Sequence, residues 1–127
     1  MKKILIVDDQ VEVRELVDVT LRVGDHEILH AERGEQAVEI ARREKPDLII
    51  MDVSMPGEMD GLQATRAIKG DPETRNCTVI ILSAKGQETE IRQGFDAGAD
   101  DYFVKPFSPL DLVKKVEALL GESPDAE

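Results

Sequence analysis

Polar and apolar positions alternate on two length scales along this chain. Short apolar runs, Ile4-Leu5-Ile6-Val7, Leu48-Ile49-Ile50-Met51, Val79-Ile80-Ile81-Leu82 and Tyr102-Phe103-Val104, are too continuous for a strand with one wet face and read as strands buried on both sides. A fifth strand, around 27–31, is the least marked. Longer stretches of helical period lie between the runs. Val13, Leu16, Val17 and Thr20 fall at i, i+3, i+4 and i+7 and predict a helix with that face inward, with Gly24 available to stop it. Ala37, Ile40 and Ala41 mark a second helix, which must end before Pro46 because the residue preceding a proline avoids the helical region. Met55-Pro56-Gly57 signals a turn, and a third helix follows over 60–69, closed by Asp71-Pro72. After a loop opening at Gly86, Ile91 and Phe95 set the buried face of a short helix that Gly94 and Gly98 weaken. The last helix starts clearly, with Ser108 as N-cap, Pro109 in first position and Asp111 near the positive end of the dipole. Val113, Val116 and Leu120 supply its core face.

Five strands and five helices in strict alternation predict an α/β fold. Right-handed crossovers and the need to cover both sheet faces lead to a three-layer α/β/α sandwich around a parallel sheet. The length of 127 residues suits one domain, expected over 1–121. The segment 122–127 has no periodicity and little apolar content, so a disordered tail is expected there.

Composition narrows the partners. A formal net charge of −11, from 27 acidic and 16 basic residues, argues against direct nucleic-acid binding, which needs clustered Lys and Arg. One cysteine, Cys77, excludes an intramolecular disulfide, fits a reducing compartment and reads as a small buried hydrophobe. The start Met1-Lys2-Lys3 is followed by too short an apolar run for a signal peptide, and no stretch approaches the roughly 20 apolar residues of a membrane span. A soluble cytoplasmic protein without membrane contact is expected.

Each apolar run delivers polar residues at its carboxyl end: Asp8 and Asp9, Asp52, Ser83, Lys105. Ligand sites of open α/β sheets lie outside that edge. Three carboxylates brought together repel and raise one another's pKa unless a cation neutralises them, which suits a hard divalent ion, Mg²⁺ above all. The alternative for Asp8-Asp9 is helix capping. A carboxylate beside a metal can attack a phosphoryl donor to form an aspartyl phosphate, and Asp52 is the candidate. Lys105 with the metal would neutralise the transferring group, and Ser83 would donate a hydrogen bond to it. Tyr102 can equally be core with its hydroxyl at the rim. His26 and His30 read as sheet-edge residues. The turn from Asp9 to Val13 lacks a glycine-rich phosphate loop, which disfavours a dinucleotide or flavin binder.

The order of these motifs, continued by Met55-Pro56 with Asp60-Gly61, Ser83-Ala84, Gly98-Ala99-Asp100-Asp101-Tyr102 and Lys105-Pro106-Phe107, resembles the receiver domain of bacterial response regulators over residues 2 to about 120. The resemblance implies a flavodoxin-like five-stranded parallel sheet in the order 2-1-3-4-5. It makes Asp52 the phosphoacceptor, Asp8 and Asp9 the acidic pair for Mg²⁺, and the Ser54 backbone carbonyl a further ligand. Ser83 becomes the switch hydroxyl, Tyr102 the aromatic switch and Lys105 the phosphate partner, with a cis Lys105-Pro106 bond. Ser54 and Lys85, each two residues beyond a site residue, would tune dephosphorylation.

A receiver is a signalling domain, taking phosphate from a sensor histidine kinase or a histidine phosphotransfer protein. It answers by changing the surface of its fourth helix, fifth strand and last helix for a downstream protein, as a monomer or weak dimer. Met55, Met59 and Phe107 would form a rim for the kinase, or local packing. The resemblance to the single-domain chemotaxis regulator implies a single-domain regulator; a receiver excised from a longer transcriptional or enzymatic regulator is the alternative. An aspartyl-phosphate phosphohydrolase is disfavoured because Ser54 stands where such enzymes carry a second acid. Two departures from the family pattern are the extra residue in Gly57-Glu58-Met59 and serine instead of threonine at 83.

Overall fold

The structure, a computed structural model, describes residues 2–22, 24–53, 55, 57–84 and 88–121. Its elements alternate along the chain: β1 (Lys2–Val7), α1 (Val11–Leu21), β2 (His26–Ala31), α2 (Gly34–Glu44), β3 (Leu48–Asp52), α3 (Gly61–Lys69), β4 (Thr78–Ala84), α4 (Glu88–Asp96), β5 (Asp101–Lys105) and α5 (Pro109–Leu120). The strands form one parallel sheet in the order β2-β1-β3-β4-β5, the order the resemblance implied. No helix among the described residues is long and apolar enough to cross a membrane.

Side chains alternate across a strand, so the runs of β1, β3 and β4 each feed two cores, whereas β5, expected to be buried on both sides, lies at the sheet edge with no buried residue and gives only Phe103 to one core. Leu5, Val7, Ile49, Met51, Val79 and Ile81 meet α2 and α3 through Ala37, Ile40, Ala41, Ala64 and Ile68. On the opposite face, Ile4, Ile6, Leu48, Ile50, Ile80 and Leu82 meet α1 and α5 through Val17, Leu21, Leu112 and Val116. Each buried Leu or Ile side chain contributes roughly 1.5–3 kcal/mol. Cys77 belongs to the first core, and burial raises its thiol pKa. Asp60 caps α3, its carboxylate accepting from the Gln63 N–H while Gln63 accepts from the Asp60 N–H, both at 2.9 Å. Ser108 caps α5, with Pro109 in the first turn. The Lys105-Pro106 bond is cis.

Helix faces depart from the periodic reading at several points. The inward stripe of α1 runs through Val13, Val17 and Leu21, so Leu16 falls at its edge and is 49% exposed, beside Pro106 and Phe107. Helix α1 stops at Leu21 with Arg22 as cap, before Gly24 is reached. Helix α4 approaches the sheet through Gly94, where a Cβ would overlap Ile81 Cδ1. Its sheet-facing side therefore has no room for a large residue, and Phe95 turns outward, 45% exposed. In α5 the buried pair is Leu112 and Val116, with Val113 and Leu120 only partly covered. His26 and His30 lie on the edge strand β2, where His30 Nε2 stands 2.7 Å from the Asp18 carboxylate. The expectations at Ser54, Pro56, Lys85, Gly86 and the tail 122–127 lie outside the described residues.

Candidate functional site

Parallel register brings the strand ends to one edge. Val7 pairs with Met51, Asp52 with Leu82, Ser83 with Val104 and Ala84 with Lys105. The chain leaves β1 through Asp8, whose N–H donates to the Ala31 carbonyl at 3.1 Å and whose Oδ1 accepts from the Gln10 N–H at 2.9 Å. Gln10, not either aspartate, is the N-cap of α1, and its side chain makes no cap hydrogen bond. Capping is thus not what Asp8 and Asp9 do. On the far side of β3, α3 begins directly behind Asp52: Gly61 donates to the Val53 carbonyl at 3.0 Å, and a Cβ on Gly61 would overlap the Asp52 carbonyl oxygen. Only glycine lets α3 start that close to the strand end.

Asp8 and Asp52 are buried and Asp9 is exposed, and one oxygen from each lies within 4.8 Å of the others, the one such group among the described residues. Lys105 Nζ bridges the two buried carboxylates, 3.0 Å from Asp8 Oδ2 and 3.1 Å from Asp52 Oδ1. One ammonium does not balance three carboxylates. Burial, followed by the Asp8 charge, pushes the Asp52 carboxyl up to about 6 against the pull of Lys105. Burial works to lower the Lys105 pKa, but Asp52 and Asp8 outweigh it and the net shift is upward. A pocket of about 250 Å³ opens over this group, walled by Asp9, Asp52, Val53, Glu90 and Lys105. The donor set of hard oxygens, the surplus negative charge and the pocket fit Mg²⁺.

The other expected residues are placed less uniformly. Ser83 is buried at the end of β4, and its Oγ donates to Glu90 Oε1 at 3.0 Å. Tyr102 is neither core nor pocket wall: it is 37% exposed, edge-on to Phe95 with ring centroids 6.0 Å apart. Met55 is nearly buried in the core but lines a pocket with Asp9, Asp60 and Glu90, and Met59 packs against that core. Phe107 packs on Phe103 and borders a groove with Val13, Leu16 and Pro106. Sequence reasoning missed two residues. Arg14 Nη1 donates to the Asp8 carbonyl at 2.7 Å and so braces the acidic turn, and Glu90 holds Ser83. Both stand in the first turn of a helix that follows a site strand, the one signal that would have singled them out.

A family description, response regulator receiver domain, matches residues 4–117. The phosphate regulon transcriptional regulatory protein PhoB of Pseudomonas aeruginosa is 44% identical over 119 residues, covering 94% of this chain and 52% of that protein. The chain spans about half the length of the curated relatives it matches. Chemotaxis protein CheY4 of Vibrio cholerae superposes with a TM-score of 0.86 at 30% identity, covering 94% of this chain and 98% of that one. The receiver domain of a sensor histidine kinase from Pseudomonas aeruginosa PAO1, solved with a magnesium ion coordinated in its active-site cleft, superposes with the same TM-score, identity and coverage.

Proposed function

The chain belongs to the response regulator receiver domain family, and from that premise we propose that Asp52 accepts a phosphoryl group from the phosphohistidine of a sensor histidine kinase or a histidine phosphotransfer protein. A receiver is a signalling domain and not a conventional enzyme. The observation that carries the reading is the Asp8, Asp9 and Asp52 oxygens within 4.8 Å of one another, with Lys105 bridging two of them.

In this reading an Asp52 carboxylate oxygen attacks phosphorus, the bond from phosphorus to the donor imidazole nitrogen breaks, and the imidazole leaves with the electron pair. Asp8, Asp9 and Asp52, with the Ser54 carbonyl, would hold Mg²⁺, which when bound supplies charge neutralisation for the phosphoryl oxygens. Lys105 is already at the nucleophile, so it needs little movement to pair with the incoming charge. The raised Asp52 pKa still leaves most of the group ionised at neutral pH. Ser83 then gives its hydroxyl proton in a hydrogen bond to a phosphoryl oxygen, and Tyr102 turns from its exposed position as the α4, β5 and α5 surface changes. Ser54 and Lys85 tune the lifetime of the phosphoaspartate, residues 1–121 make up the working unit, and the site of action is cytoplasmic.

Labelling with acetyl phosphate and Mg²⁺ tests the reading: the parent takes up label and Asp52→Ala does not. Persistent labelling of the variant would overturn it. The curated relatives are transcriptional regulators by name, which favours a second reading of the output, the receiver of a longer transcriptional regulator that acts as a weak dimer when phosphorylated. Sedimentation with and without beryllofluoride separates this from action as a single-domain monomer, since a chain that stays monomeric when loaded sets it aside.

A further inference from the structure

Ser83 is 1% exposed, and its hydroxyl donates to Glu90 Oε1 at 3.0 Å. Glu90 is half-buried in the first turn of α4 and walls the same pocket as Asp9, Asp52 and Lys105. A serine hydroxyl has one proton and serves one acceptor at a time. Phosphoryl oxygens on Asp52 would enter a space that already has a carboxylate on its wall. Glu90 and the phosphoryl group would therefore compete for the same donor and repel each other, in surroundings where charges are poorly screened.

From this geometry we infer that Glu90 is a charge latch. It accepts the Ser83 hydroxyl in the resting chain, tying the first turn of α4 to β4, and is expelled when a phosphoryl group on Asp52 takes that hydroxyl. The inference rests on the reading of Asp52 as the phosphoacceptor. Two of the contacts that hold helix α4 to β4 differ in character. At Gly94 its backbone lies against Ile81, a contact indifferent to charge. At Glu90 the tie to Ser83 is polar and sits at the pocket, so arrival of a dianion loosens it alone and leaves Gly94 as the pivot. Phe95, the next residue, carries the edge-on contact with Tyr102. A pivot at Gly94 therefore alters what Tyr102 packs against, and the event at Asp52 reaches the outer face of β5 through one helix. Glu90 acts here as a positioning residue, through Ser83 and α4, and touches no reacting atom.

The test uses beryllofluoride with Mg²⁺ as the phosphoryl mimic on the intact chain. Tyr102 fluorescence is the readout, because the chain has one tyrosine and no tryptophan. Glu90→Gln keeps the size and an acceptor oxygen but removes the charge, and should tighten beryllofluoride binding about fivefold, the scale of one charge–charge interaction at a half-exposed position. Glu90→Asp, which restores the charge, should return affinity toward the parent. In a Ser83→Ala background the effect of Glu90→Gln should fall by half or more, which a merely structural role would not produce. If the parent binds and Glu90→Gln binds equally or more weakly, the latch alone is overturned. A parent that takes up no beryllofluoride, or an Asp52→Ala chain that takes up as much, overturns the phosphoacceptor reading and the latch with it.

Discussion

Replacing Asp52 with Asn removes a charge that the fold holds at a cost. Burial first and Asp8 second push this carboxyl up to about 6 in the folded chain, Lys105 opposing them. Unfolded, it titrates near the usual ~3.9. Between those two values the folded chain binds more protons than the unfolded one, so stability falls as pH rises through the window, and the loss is complete above the folded value. At ~1.4 kcal/mol per pH unit of difference, the penalty at neutral pH reaches about 3 kcal/mol. That is a large share of the roughly 5–15 kcal/mol that holds a small domain together.

Asparagine has the shape and neutrality of the protonated carboxyl. Asp52→Asn should therefore be more stable than the parent at pH 7.5 by roughly 1–3 kcal/mol, solvent at the pocket mouth trimming the ceiling. By about pH 5 half of the advantage should be gone, because much of the parent population is then protonated at Asp52. Urea unfolding followed by circular dichroism at several pH values between about 5 and 8 measures this. EDTA must be present, since a divalent ion binding only the folded parent would offset the difference. No gain at neutral pH, or a gain of equal size at both ends of the range, would refute the electrostatic account of the site.

Three further outcomes follow from the same geometry. Millimolar Mg²⁺ should raise the urea midpoint of the parent at neutral pH and raise that of Asp9→Asn much less; equal rises would move the ion away from the carboxylate group. Gly61→Ala should cost about 2–3 kcal/mol in urea unfolding, because its Cβ would overlap the Asp52 carbonyl and stand 2.9 Å from Val53 Cα, just past the end of the central strand. A variant within about 0.5 kcal/mol of the parent would mean that α3 can withdraw freely. Arg14→Ala removes the 2.7 Å bond to the Asp8 carbonyl and should weaken Mg²⁺ binding several-fold by calorimetry while costing about 1–2 kcal/mol of stability. Unchanged Mg²⁺ affinity would show that the acidic turn holds its shape without that brace.

What could and could not be read from the chain follows from the geometry of its elements. Strands β1, β3 and β4 are buried on both faces and leave no choice of side, whereas β5 lies at the sheet edge with no buried residue; parallel order still let the four apolar runs place Asp8, Asp52, Ser83 and Lys105 at one edge, and the register bears that convergence out. A helix stripe is about 100° wide, and residues at its margin can fall either way. Leu16 and Phe95 fell outward and Leu112 inward, each decided by a neighbouring element that no local pattern encodes: the loop at Pro106 and Phe107, the close approach at Gly94, the packing of α5 on the sheet. The two missed site residues have a different cause. A lone charge in a helix reads as solvated surface, which is usually right. In a parallel α/β sheet, however, every crossover helix begins at the carboxyl edge where the site forms. Helix α1 starts three residues after Asp8 and α4 five after Ser83, so the first turns that carry Arg14 and Glu90 are one loop away from the carboxylates. Charged residues in those turns have to be weighed against the strand ends before they are assigned to water, because the topology has already brought them within reach.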